Sequence, residues 1–183
     1  MRMNKIACSL TAMFLIGTAA TVELAAAMPA DRLKVANYAK SGPWTLRKAT
    51  AGGKVQSCDA FQMTASETGI RYEYNLDSSS ISFSGLASAA DDKPMQVEVW
   101  FDNNRAEAQT YTMTLEPDAK GYDWRTLREA NDEPHAWEDQ FSNLSKIHFV
   151  YTVKGEGRHE EVFVLAGSNG VYKKTIACVQ NAH

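Results

Sequence analysis

From Trp44 to Leu165 the chain repeatedly alternates apolar and polar residues, and this period of two restricts the fold more than any other feature of the sequence. Successive side chains of an extended strand point to opposite faces, so each alternating run offers one face to a core and one to solvent. Ile70, Tyr72, Tyr74 and Leu76 alternate with Arg71, Glu73 and Asn75, and Asp77-Ser78-Ser79-Ser80 supplies a turn into Ile81 and Phe83. This is the clearest hairpin in the chain. Trp44–Lys48, Cys58–Thr64, Met95–Phe101, Tyr111–Leu115, Ile147–Val153 and Glu161–Leu165 read as further strands. Val150 gives the Ile147–Val153 run a second apolar face, as a central strand requires.

Two segments change period. Trp137, Phe141 and Leu144 fall at i, i+4 and i+7, with Asp132 as the expected cap and Pro134 in the first turn. After Gly167, Ser168 is the expected cap of a helix that carries Val171, Thr175 and Cys178 on one face. The sequence therefore predicts a mostly β domain, an antiparallel β-sandwich or strongly curved sheet, with one short internal helix and a C-terminal helix. A chain of 183 residues, 44% hydrophobic and 22% charged, has room for one such core and not for a two-domain cofactor enzyme.

The first 27 residues do not fit that pattern. Arg2 and Lys5 precede an apolar run from Ile6 to Gly17, and small residues follow up to Ala25-Ala26-Ala27. Charged, apolar, then small is the order of a cleaved secretory signal, and the apolar run falls short of the roughly 20 residues of a membrane span. The expected organisation is a signal peptide over residues 1–27, an N-terminal extension over 28–41 and a single domain over 42–183. The mature protein is then expected in the periplasm or outside the cell, without stable membrane insertion.

Cleavage removes Cys8 and leaves Cys58 and Cys178, 120 positions apart. In an oxidising compartment the economical arrangement is one disulfide between them. Cleavage also removes Arg2, Lys5 and Glu23, which leaves 17 basic and 21 acidic residues, a net charge of −4. Arg47-Lys48 and Lys173-Lys174 are isolated pairs, and no basic stretch matches the needs of a phosphate backbone, so nucleic acid is not an expected partner.

Gly42-Pro43-Trp44 opens the domain, Cys58 follows in the second strand, and Val162-Phe163-Val164-Leu165-Ala166-Gly167 leads into a helix ending at Cys178. Over these two ends, roughly residues 42–63 and 162–179, the chain resembles the small exported proteins of the invasion-associated locus B type of alphaproteobacteria. The resemblance implies a β-sandwich-like exported domain without a known enzymatic activity.

Few residues suit catalysis. Neither Phe83-Ser84-Gly85 nor Gly167-Ser168-Asn169-Gly170 has the G-x-S-x-G form of a hydrolase elbow. His159 and Glu161 share a strand face beside Glu160, but His135, His148 and His183 add no paired spacing for zinc, and Asp102-Asn103-Asn104 lacks the oxygen spacing of a calcium loop. Glu129, Asp132, Glu133, Glu138 and Asp139 form one acidic segment that could supply a glycosidase pair or simply a solvated face. No catalytic residue, metal ligand or cofactor is assigned.

The aperiodic stretch between Glu116 and Pro134 carries Tyr122, Trp124 and Arg125, residue types that concentrate binding energy when a loop presents them. They are the expected binding surface, with Trp100, which faces the same side as Gln96 and Glu98, as a second candidate. The competing reading of Trp124 is a short strand that folds it inward. The expected function is non-catalytic binding of a protein or glycan ligand by an exported protein, with host association as one setting. A small periplasmic hydrolase of carbohydrate or peptidoglycan, or an inhibitor of a secreted hydrolase, is the alternative.

Overall fold

The glycine pair Gly52-Gly53, both at positive φ (57° and 78°), forms a two-residue turn whose twist matches the strands it joins. Those strands, Trp44–Ala51 (β2) and Lys54–Met63 (β3), belong to one antiparallel sheet in a computed structural model that describes residues 33–85, 87, 91–118, 122–132 and 135–182. The other strands are Lys34–Ser41 (β1), Gly69–Tyr74 (β4), Ser78–Ser84 (β5), Met95–Phe101 (β6), Gln109–Pro117 (β7), Asp123–Ala130 (β8), Lys146–Val153 (β9) and Gly157–Val164 (β10). Helices span Ala136–Asn143 (α1) and Ser168–Gln180 (α2). Residues 1–27, expected as a signal peptide, and Cys8 among them lie outside the described residues.

The strand order is β1-β2-β3-β4-β5-β8-β7-β6-β9-β10, an open sheet of ten antiparallel strands. The expected hairpin is present as β4 against β5, with Tyr72 opposite Ile81. Three strands separate β5 from β9 in that order, yet Phe83 of β5 stacks on Phe149 of β9 at 4.4 Å and lies 5.4 Å from Tyr151. The sheet therefore folds over on itself, and the alternating apolar residues of its two halves face each other. Trp44, Leu46, Ile70, Ile81 and Phe83 from one half meet Val97, Ile147 and Phe149 from the other in one core.

The helices close the side of that core nearest β2, β3 and β4. Phe141 of α1 packs edge-on against Trp44 at 5.7 Å and stacks on Tyr72 at 5.3 Å, where Tyr172 of α2 also packs at 5.3 Å. Trp44 donates its Nε1–H to the Ala166 carbonyl at 2.9 Å, which fixes the turn leading into α2. Cys58 on β3 and Cys178 on α2 are disulfide-bonded, with Cα atoms 6.2 Å apart. On the chain-entropy view, a closed loop of this length stabilises by about 4–5 kcal/mol. Full burial of a Leu or Phe side chain contributes about 1.5–3 kcal/mol, so the bridge equals roughly two core residues.

Four local expectations are corrected. Lys34–Ser41, assigned to the N-terminal extension, is an edge strand paired with β2. The aperiodic segment contains a full strand, β8, which pairs with β5 on one side and β7 on the other. His135, not Asp132, caps α1, and it does so without a side-chain hydrogen bond. At α2 the cap is Gly167, whose φ of 82° favours glycine, while Ser168 is the first helical residue and is buried.

Candidate binding site

Two of the residues expected on a recognition loop are interior. On β8, Trp124 and Arg125 are both 0% exposed. Trp124 sits opposite Glu116 of β7, with the Arg71 guanidinium 5.0 Å from its ring centre. Arg125 points to the other face and holds three main-chain carbonyls, Ala87 at 2.8 Å, Lys93 at 2.6 Å and Asp91. A strand covered on both faces has no solvent side, so these residue types serve packing and loop positioning there. Tyr122 alone of the three is exposed, edge-on to Trp124 at 6.4 Å.

Trp100 is also nearly covered. It stacks on His148 at 4.8 Å and carries the Arg105 guanidinium 5.2 Å from its ring centre. Its neighbour Val99 pairs with Gln109 at the start of β7, whereas Trp124 pairs with Glu116 near the end of that strand. At about 3.4 Å per residue, the length of β7 separates the two tryptophans. They do not form one surface.

The face that carries Trp124 holds instead a charged cluster that only strand register makes visible. Arg47, Asp59, Glu73, Ser80 and Arg128 are successive cross-strand partners over β2, β3, β4, β5 and β8. Arg47 binds both oxygens of Asp59 and reaches Asp118 at 2.8 Å, while Arg128 binds Glu116 at 2.8 Å and Glu73 at 3.5 Å. Arg71 lies 3.8 Å from Glu73. Together these groups line a cavity of about 220 Å³. Burial alone would lower the Arg47 pKa, but its bonds and proximity to the two aspartates outweigh burial and raise it. Burial pushes the Asp59 carboxyl up, with Arg47 and Arg71 opposing. Four carboxylates converge here on three guanidinium groups, and each lies within ion-pair distance of at least one, so the arrangement is one of counterions.

Two members of the acidic segment singled out for glycosidase chemistry are engaged in structure. Glu129 accepts the Trp137 indole N–H at 2.6 Å and lies 3.0 Å from His135, and Glu138 accepts the Tyr72 hydroxyl at 3.3 Å. Glu133 lies outside the described residues. His159 is 3.8 Å from Glu156, and Glu161 accepts the Tyr151 hydroxyl at 3.3 Å. Among the described residues no group of three His, Cys, Asp or Glu side chains is placed to hold a metal ion.

A larger concavity of about 580 Å³ opens where β6 and β9 separate. Their ladder runs only from Glu98–Val150 to Phe101–Ile147. β6 begins three residues before this ladder, and β9 continues three residues beyond it, while both keep their outer partners: Met95 pairs with Met113 of β7, and Val153 with Gly157 of β10. The sheet is thus split over Met95–Val97 and Tyr151–Val153, and both segments contribute to the cleft. One wall is the loop containing Asp91, Lys93 and Pro94, which Arg125 pins from beneath. Lys154 and Arg158 stand at the opposite rim. Sequence reasoning missed this site because its defining feature, the loss of pairing between two strands, has no signature in either strand alone.

Fold and site together define an open, folded-over antiparallel sheet, clasped by a disulfide-linked C-terminal helix and split at one seam. No family model matches the chain, and no curated protein matches it. Among solved structures, the crystal structure of invasion associated protein B from Bartonella henselae matches with a TM-score of 0.56 and 13% identity. The match covers 79% of this chain and 98% of that one. The likeness is one of fold, in the direction the sequence resemblance pointed.

Proposed function

We propose that this protein is exported and acts outside the cytoplasm as a non-catalytic binding protein, with the cleft between β6 and β9 as its contact site. The observation that carries the reading is the split in the sheet, an open concavity flanked by exposed polar side chains. Export draws support from the charged, apolar and small-residue order of residues 1–27 and from the Cys58–Cys178 bridge, which suits an oxidising compartment. The structural neighbour is named for association with invasion. A role at a host surface is the corresponding setting for this chain. No specific observation favours the hydrolase alternative, since the converging carboxylates of the smaller cavity already have arginine partners.

Two measurements test this reading. Residues 1–30 fused to a reporter that is active only outside the cytoplasm should produce activity and a cleaved product, and an inactive cytoplasmic fusion overturns export. A photocrosslinking residue at Thr152, in the cleft, should capture a discrete partner in producing cells that the same residue at Lys173 on α2 does not. Equal capture from both positions, or none from Thr152, overturns the site.

A further inference from the structure

Resting on the binding role just proposed, we infer that the cleft takes an extended acidic peptide segment. The first support is the backbone. Over Met95–Val97 and Tyr151–Val153 the strands have parted from each other, so an inner edge of each faces the cleft while its outer edge stays paired. An extended segment can pair with such an edge through its own main chain, which supplies affinity whatever the side chains.

The second support is charge. Both carboxylates of the cleft are already engaged: Glu98 by Arg158 at 2.7 Å and Arg105 at 3.4 Å, Asp91 by Arg125 at 3.7 Å. Lys93 and Lys154 are exposed at its two sides, and neither ammonium has an ion-pair partner among the described residues. The cleft therefore presents unmatched positive charge in a chain of net charge −3, and an acidic ligand is attracted here while the bulk of the surface repels it.

The lining separates peptide from anionic glycan. Half-buried Met95 gives the cleft an apolar component, which suits a side chain on one face of a strand. A sugar ring would want an open aromatic face. Tyr151 is 2% exposed, and Trp100 is covered by His148 and Arg105. Arg125 adds preorganisation: its three bonds to Ala87, Asp91 and Lys93 carbonyls hold the lysine-bearing wall in place before a ligand arrives.

The test uses the oxidised protein and a short peptide alternating glutamate and valine, followed by amide chemical shifts. Three comparators accompany it: the same peptide with lysine for glutamate, one N-methylated at alternate amides, and polygalacturonate. The expected result is shifts concentrated at Met95–Val97 and Tyr151–Val153, weakened as salt is raised towards about 0.15 M. The lysine and N-methylated peptides, and the acidic peptide against Lys93→Glu/Lys154→Glu, should bind at least about tenfold more weakly. Both lysines are exposed, so the double variant should melt with the parent. Equal binding of the N-methylated peptide, shifts elsewhere, or tighter binding of polygalacturonate overturns the inference. Absence of any peptide response also overturns it. In that case the Thr152 crosslink still judges the cleft separately.

Discussion

The Arg71 guanidinium lies 5.0 Å from the centre of the Trp124 ring, and both side chains are buried on the second face of the sheet. The tryptophan is thus held between its own strand and a cation from β4, two strands away in the sheet. Trp124→Ala should cost about 3–5 kcal/mol through the cavity left behind, read as a fall in thermal midpoint. A change within about 0.5 kcal/mol, as exposed positions usually give, would place the ring at the surface instead.

Removing the bridge should destabilise without altering the fold. For Cys178→Ser, the 120-residue separation implies a loss of about 4–5 kcal/mol in denaturant unfolding. An unchanged midpoint would mean that helix packing on Tyr72 and Trp44 alone secures α2.

The Arg47 cluster predicts a pH signature. Arg47→Met leaves Asp59 and Asp118 buried without that guanidinium and should cost about 3–5 kcal/mol at neutral pH. Burial already raises the Asp59 pKa, and loss of Arg47 raises it further. A folded-state pKa above the unfolded value favours the folded state while the carboxyl is protonated. The variant's deficit should therefore shrink as pH falls through the acidic range. A deficit independent of pH would show that lost packing, rather than stranded charge, dominates.

Alkaline pH probes the aromatic core. Burial raises the Tyr72 pKa, with Glu138 adding to it, and burial raises that of Tyr151, with Glu161 adding to it. Unfolding frees both hydroxyls to ionise near pH 10, so stability is retained below that value and lost as pH rises above it. Absorbance titration should show both phenols ionising only with unfolding, and Tyr72→Phe should flatten the alkaline limb of the stability curve.

How far the sequence discloses this molecule depends on whether a strand has a wet face. β4 and β5 are legible because Tyr72 and Ile81 alternate with polar neighbours, and the two helices because Trp137 and Phe141, or Val171 and Thr175, repeat at helical spacing. β8 is not, because Trp124, Arg125, Thr126 and Leu127 are buried in succession and polar members of the run are satisfied by partners far along the chain. The same holds for Arg47 and Asp59: the pairing that joins them is evident only once Lys48 stands opposite Cys58. The cleft is more hidden still, since it consists of bonds that two adjacent strands do not make.

The Cys58–Cys178 bond closes a covalent ring around β4 through β10 and α1. A protease that cuts once anywhere inside that ring, at the loop before Met95 or the exposed turn at Lys154-Gly155-Glu156, opens the ring but releases nothing. The nicked protein should run as a single species on a non-reducing gel and as two fragments after reduction. A protein built this way can lose the continuity of its main chain at an exposed loop and keep every strand tethered to its neighbours.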